Sequence, residues 1–361
     1  MAAVRLTCVP GAKVYNWSNL LTSRIGRGGV APRLAEPAVG RGLFVVQYRT
    51  FRNDDPPRLA QVWNAALTGR GTVQLRHSSP LEHYVFAKPY FDPAGLILAL
   101  DGAAPVGFAH AGFGPNEDGS RLSTDKGVTC LLGVAPSHRR RGIGSELLRR
   151  CEDYLRGRGA TELFAGSMPP LSPFYLGVYG GSDAPGFLLS DASAESFLTR
   201  HGYRTHQTRL VFHCRLSHAY NVVDARFANL RNGYDIRAQA RGRPATWWQA
   251  AVLGPLEMLE FTAENKTTHD AVATVSVWEM EGFSHRWNES ALGLVDVEVR
   301  PDARRQGMAK YLLSQALRYL RDQYFTLAEM QVCEANEAGR RLCQSLGFKQ
   351  VDAGRMYRKT V

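Results

Sequence analysis

Two stretches of this chain, 165 residues apart, are versions of one another. "VAPSHRRRGIGSELL" covers Val134–Leu148 and "VRPDARRQGMAKYLL" covers Val299–Leu313. At that offset Val134 falls on Val299, Pro136 on Pro301, Arg139 on Arg304, Gly142 on Gly307, Gly144 on Ala309 and Leu147 on Leu312. A period of this size means that one domain-sized unit is built twice. A second anchor agrees: "FLTRHGY" ends at Tyr203 and "LCQSLGF" at Phe348, now at an offset of 145. The first copy therefore carries 20 extra residues, which fall in the Gly-, Pro- and Tyr-rich segment Met168–Asp191. The offset of 145 also sends Leu216 onto Val361, the last residue. The expected division is a basic extension over 1–42, a first unit over 43–216 and a second over 217–361.

Each copy has the pattern of a mixed α/β unit. In the first, "LFVVQYRT" reads as a strand, "PPRLAQVWNAAL" as a helix, and "LILALDGAAPVGFAHAGF" as a hairpin turning at Asp101-Gly102. "VTCLLGV" is a buried strand, and Ile143, Leu147, Leu148, Cys151, Tyr154 and Leu155 form an apolar stripe at helical spacing. "TELFAG" follows as a strand, then "ASAESFLTRHGY" as a helix. In the second copy "ATVSVWEM" and "LGLVDVEV" read as strands, and Met308, Leu312, Leu313, Ala316, Leu317 and Leu320 repeat the stripe. Asp191 and Asn336 stand at matching places before the last helices, as N-caps or as ligand contacts.

Charge and cysteines narrow the function. The net charge is +11, and residues 1–42 hold Arg5, Lys13, Arg24, Arg27, Arg33 and Arg41 against Glu36 alone. Such a start fits a presequence or a disordered extension, and it lacks the apolar core of a secretory signal. No apolar run approaches the roughly 18 residues of a membrane helix. None of the six cysteines forms a C-x-x-C pair, and no Cys/His spacing suggests zinc. We expect reduced thiols, a cytoplasmic protein and no metal. The mild positive excess of the body fits an anionic ligand. Nucleic acid is a weaker fit, because no base-stacking aromatic motif is present.

The repeated stretch places arginines and glycines where a strand hands over to a helix. The first turn of a helix leaves N–H groups unpaired and carries the positive end of the dipole. Glycine lets backbone approach a ligand closely, and arginine adds permanent charge. Together they suit a phosphate or pyrophosphate. "GIGSEL" lacks the third glycine of a dinucleotide fingerprint, and the P-loop pattern is absent. A merely solvated basic face explains one copy better than two matched ones.

The pattern [Q/R]-x-x-G-x-[G/A] after a strand ending in V-x-P resembles the cofactor motif of the GNAT acetyltransferase superfamily. Arg139, Gly142 and Gly144 match it in the first copy, and Arg304, Gly307 and Ala309 in the second. "NEAGRRLCQSLGF" (Asn336–Phe348) resembles the closing segment of that family. The resemblance covers roughly residues 43–361 and implies two tandem acyl-CoA N-acyltransferase domains, each a twisted mixed sheet flanked by helices. It implies acetyl-CoA, or another acyl-CoA, as co-substrate. Around Arg139, Arg140, Arg141, Gly142, Ile143 and Gly144, backbone N–H groups would hold the pyrophosphate. Arg304, Arg305, Gln306, Gly307, Met308 and Ala309 would do the same in the second copy. Leu132 and Val134, and Val297 and Val299, would lie along the pantetheine arm, with one N–H aimed at the thioester carbonyl.

The acceptor would be a small-molecule or peptide amine. A lysine-like amine costs about 4.6 kcal/mol to deprotonate at pH 7, so a carboxylate is the usual helper. Only the second copy offers acids beside the loop, Asp296 and Glu298, where the first has Leu131 and Gly133. Strict alternation would put both acids on one face, opposite Val295, Val297 and Val299. They serve catalysis, with Glu298 nearer the loop, or a structural ion pair with an arginine. The family's tyrosine that protonates the leaving thiolate is replaced by Leu198 and Cys343. Tyr175 and Tyr179 in the extra segment could reach a site from elsewhere, and that segment reads either as an acceptor wall or as a surface loop. Trp247, Trp248, Trp278 and Trp287 read as an acceptor wall or as core packing. A non-catalytic acyl-CoA-binding protein is the alternative reading of the whole.

Overall fold

A computed structural model describes residues 45–360; the basic extension over 1–42 lies outside them. The first copy contains β1 (Val46–Thr50), α1 (Pro56–Ala66), α2 (Ser79–Leu81, continued by a π turn over Glu82–Phe86), β2 (Leu96–Asp101), β3 (Ala104–Pro115) and β4 (Leu122–Val134). After these come α3 (Ile143–Gly157), β5 (Glu162–Ala165), β6 (Phe187–Leu188), α4 (Ser193–Arg200) and β7 (Arg204–Arg215). The second copy opens with α5 (Phe227–Gly233), β8 (Tyr234–Ala240), α6 (Trp247–Leu253), β9 (Met258–Asn265), β10 (Ala271–Glu279) and α7 (Glu281–Trp287). It closes with β11 (Ala291–Val299), α8 (Met308–Asp322), β12 (Leu327–Cys333), α9 (Glu337–Ser345) and β13 (Lys349–Thr360).

The repeat is carried into three dimensions. Helices α3 and α8 have 15 residues each and start 165 apart. The parallel pair β4–β5 begins at Lys126↔Glu162 and the pair β11–β12 at Ala291↔Leu327, the same offset on both strands. Strands β7 and β13 have 12 residues each and stand 145 apart. Each long helix buries its apolar stripe against its own sheet, with Leu147, Leu148 and Cys151 inside in one copy and Leu312, Leu313 and Ala316 in the other.

The final strands are exchanged. In the sheet order β1-β2-β3-β4-β5-β13-β7-β12-β11-β10-β9-β8, the neighbour of β5 is β13, and the neighbour of β12 is β7. Strands β7 and β13 pair antiparallel at the centre, with Gly354 opposite Arg209. The cores follow the exchange. Met356 and Tyr357 of β13 join the first core with Trp63 and Phe108, while Leu210 and Phe212 of β7 join the second with Phe261 and Tyr311. A cut after Leu216 therefore separates β7 from the strands it pairs with.

The segment that holds the 20 extra residues is largely buried rather than a surface loop, and its Asp183, Phe187 and Asp191 border the openings described below. The Tyr175 hydroxyl meets His110 Nδ1 at 2.9 Å, and Tyr179 accepts from the Leu188 amide. Burial pushes the His110 imidazole down to about 3, so this ring is neutral. Further on, the segment joins the two copies. The Ser182 amide donates to Glu329 Oε1 at 2.6 Å, Trp278 Nε1 donates to the Ser182 carbonyl, and Gln331 Nε2 donates to the Gly180 carbonyl. Glu329 also accepts from His213 at 2.7 Å, and His213 is bonded to Arg70. The tryptophans likewise pack between copies. Trp248 stacks on Tyr90 at 5.1 Å, and Trp287 Nε1 donates to the Arg70 carbonyl.

Helices α1 and α6 each follow the first strand of their copy, and they behave differently. Helix α1 lies on β4 so closely that a Cβ on Gly133 would stand 3.0 Å from both Ala66 and Phe108. Helix α6 is docked on the first copy instead. Lys88 Nζ caps it by donating to the carbonyls of Ala251 (2.6 Å) and Val252 (2.8 Å), and the Trp248 amide donates to Gly119. The face of β11 that corresponds to the covered face of β4 is thereby left open.

Candidate functional site

Each strand-to-helix turn is built the same way. After Val134 and Val299 comes one 3₁₀ turn, Pro136–His138 or Pro301–Ala303. Arg139 Nε then donates back to the Val134 carbonyl at 3.0 Å, and Arg304 Nε to the Val299 carbonyl at 2.9 Å. Arg139 also donates to the Ala66 carbonyl. These arginines brace the turn; their hydrogen bonds go to backbone, not outward. Next, Arg140 and Arg305 take positive φ (62° and 65°), as do Gly142 and Gly307 (81° and 88°), the N-caps of α3 and α8. Alternating left-handed residues at a helix start turn successive N–H groups to one side, the arrangement of an anion-binding nest. Arg140 and Arg305 hold this conformation without being glycine, which costs about 1 kcal/mol or more each.

Beside each turn the parallel strands part. The β4–β5 ladder ends at Thr129↔Ala165 and the β11–β12 ladder at Leu294↔Met330, so the last residues of β4 and β11 have no strand on that side. The opening in the first copy is a cleft of about 500 Å³, lined by Leu132, Val134, Arg139, Arg140, Gly142 and Gly144 among others. In the second copy it is about 1510 Å³, lined by Val297, Val299, Arg304, Arg305, Gly307, Met308, Ala309 and Asn336 among others. Ile143 is buried in the core, and Gln306 donates to the Asp302 carbonyl; neither these nor Arg141 line a cleft. The donor set fits an elongated molecule with a phosphate end and an amide-bearing arm.

Asp296 and Glu298 both line the larger cleft, though not by simple alternation. Between Ser276↔Val295 and Thr274↔Glu298, β11 carries one residue more than β10. This bulge puts Asp296 at φ 52° and brings Val295 onto the face of Glu298, rather than the opposite one. That face looks away from α8, against which Ala273 and Val299 pack. Asp296 pairs with Arg241 at 2.8 Å, whereas Glu298 makes no hydrogen bond or ion pair with any described residue. Asn336 accepts from the Gly339 amide at 2.9 Å and is the N-cap of α9. Leu198 and Cys343 are buried, and burial pushes the Cys343 thiol up to about 12. The cleft also holds groups that sequence reasoning missed. Asp183 and Arg209, ion-paired, come from the first copy; Arg226 comes from the segment joining the copies. Arg209 reaches the cleft because β7 pairs with the second copy, and that pairing leaves no local signature in the sequence.

A braced left-handed turn before a helix, set beside parting parallel strands and built twice, defines a tandem acyltransferase fold. The chain belongs to the acetyltransferase (GNAT) family, whose pattern matches residues 61–176 and again 234–348. Acyl transfer is the general activity of that family. Mycothiol acetyltransferase of Nocardioides sp. (strain ATCC BAA-499 / JS614) is 33% identical over 84 residues, which span 21% of this chain and 28% of that protein. Among solved structures, the tandem GNAT protein from the clavulanic acid biosynthesis pathway superposes with a TM-score of 0.61 at 17% identity, covering 87% of this chain and 98% of that one. The GCN5-related N-acetyltransferase from Sphaerobacter thermophilus gives 0.58 at 17%, covering 87% and 95%. At these identities the likeness concerns the fold. Among the described residues no helix is long and apolar enough to cross a membrane.

Proposed function

We propose that the chain moves an acetyl or similar acyl group from acyl-CoA to an amine, by direct attack in a ternary complex within the second cleft. The functional units are the two copies, 43–216 and 217–361, each completed by the last strand of the other. One observation carries the reading: the face of β11 that bears Glu298 is open, while the matching face of β4 lies under α1. Turn residues 305–310 would hold the pyrophosphate, and the unpaired edge of β11 at Val297 and Val299 would take the arm. An N–H on that edge would face the charge developing on the thioester oxygen. Glu298, free of partners, accepts the proton of the amine, directly or through water. Acyl-CoA supplies the activated acyl group.

The first copy has the turn and a smaller cleft, but β4 carries Leu131 and Gly133 in place of the two acids and its matching face is covered, which supports binding without transfer there. The five described cysteines are unpaired, in keeping with a reducing, cytoplasmic setting. The acceptor is a small-molecule or peptide amine. A non-catalytic acyl-CoA-binding protein is favoured by one observation, the buried Leu198 and Cys343 where a tyrosine would protonate the thiolate. Release of free CoA from acetyl-CoA, measured across a panel of amines, separates the two. Amine-dependent release supports transfer. Tight CoA binding with no release for any amine supports the alternative.

A further inference from the structure

The two phosphate turns differ in what stands over them. A Cβ built on Gly142 would meet nothing within 4 Å. One built on Gly307 would lie 3.0 Å from Arg226 Cζ, 3.1 Å from its Nε and 3.3 Å from its NH1. The guanidinium of Arg226 thus rests beside the N-cap of α8, in the cleft that Arg304, Arg305 and Met308 also line.

We propose that Arg226, carried by the segment that joins the copies, is a phosphate ligand of the second cleft and that Asp224 positions it. The proposal rests on the acyl-CoA reading above.

Three observations support it. First, the arginine is held. Asp224 Oδ1 accepts from Arg226 Nε at 2.8 Å and Oδ2 accepts from NH2 at 2.7 Å. The same Oδ2 accepts from Lys310 Nζ at 3.1 Å. Lys310 is the third residue of α8, where the first copy has Ser145. Second, the segment is anchored to the same helix turn. Phe227, next in sequence, is buried with its ring 5.3 Å from that of Tyr311. Third, donors remain. A guanidinium has five N–H groups, and Asp224 engages only the Nε and NH2 edge. NH1 makes no bond with a described residue. Two cations held by one carboxylate leave a single positive excess next to the helix dipole, which suits a phosphate oxygen. The hydrogen bond from Arg226 also keeps the Asp224 carboxyl well below the usual carboxylate range, so the clamp stays ionised at neutral pH.

The test is calorimetric titration of CoA into the full chain, with Gly142→Glu as background so that the first cleft is silenced. Arg226→Ala should weaken CoA binding roughly 5–10-fold, in the range of one charge-assisted contact. It should also flatten the dependence of the affinity on salt. Arg226→Lys should keep most of the salt dependence. Asp224→Asn should weaken binding too, because the guanidinium loses its tether. Melting temperatures confirm that each variant is folded. Unchanged or tighter CoA binding by Arg226→Ala overturns the proposal, and tighter binding would mean that Arg226 is a lid the ligand displaces. Tighter binding by Asp224→Asn removes the positioning role. Gly307→Glu reports separately on the underlying reading: if it leaves CoA affinity unchanged, the second turn is not the cofactor site, whatever Arg226 does.

Discussion

Replacing Glu298 by glutamine isolates the chemistry from the fold. Glu298 is exposed in the cleft and has no partner among the described residues, so glutamine leaves no orphaned group behind. Its effect on stability should stay within about 0.5 kcal/mol, as for surface substitutions. The cost to the reaction is different. With the carboxylate gone, the amine must lose its proton unaided, an uphill step of about 4.6 kcal/mol at pH 7 for a lysine-like amine. A lost general base typically removes 10²–10⁴ in rate, or about 2.7–5.4 kcal/mol of barrier. Initial rates of CoA release with an amine the wild type accepts, together with calorimetric CoA affinity, give the answer. We expect kcat to fall by that factor, CoA affinity to hold, and the residual rate to climb with pH as the amine deprotonates itself. Wild-type kcat in Glu298→Gln, under single-turnover conditions that expose the chemical step, would refute the assignment. Asp296→Asn should lower kcat less, because its carboxylate already serves Arg241.

Other perturbations test the remaining geometry. Gly142→Glu and Gly307→Glu should each remove one CoA equivalent from the calorimetric stoichiometry, since each forces an anion and a side chain into a left-handed turn. Gly133→Glu should lower stability by about 2 kcal/mol or more, read as a lower midpoint in urea, because its Cβ would press on Ala66 and Phe108 and its charge would be buried. Burial lowers the Lys88 ammonium to about 8, below its unfolded value near 10.4, so burial of the charged form opposes folding below pH 8. Between pH 8 and 10.4 the unfolded chain holds more protons at this site than the folded one, so its contribution to stability rises with pH. The stability of the wild type relative to Lys88→Met should accordingly improve across that window in urea titrations.

Much of this architecture is legible in sequence, and the misreadings have physical causes. The matched V-x-P, arginine and glycine positions located both turns, because a left-handed N-cap and a helix stripe leave local signatures. Arginine identity gave charge, but not the carbonyl at which Arg139 or Arg304 would aim. Nothing in "LVDVEV" marks Asp296 as left-handed; the bulge follows from pairing with β10, a long-range fact. The buried Tyr175 and half-buried Tyr179 are indistinguishable in sequence from exposed tyrosines, because the Gly and Pro around them suggest a loop whether or not something packs on top. The docking of α6 and the exchange of β7 with β13 depend on which copy a segment lands on, and two similar copies give the sequence no means of choosing.

That exchange has a consequence in time. The first copy has its own helices and all but one of its strands by the time β7 is synthesised, yet the strand that covers β5 is 145 residues further along. At 5–20 residues per second, the nascent chain waits roughly 7–30 s for it. Through that interval β5 presents an unpaired edge, and edges recruit whatever strand is nearest. The nearest is β7, the strand that is to be released to β12. Maturation of the chain therefore includes either a vacant edge kept clear until β13 emerges or a provisional pairing undone when the twelve residues of β13 arrive.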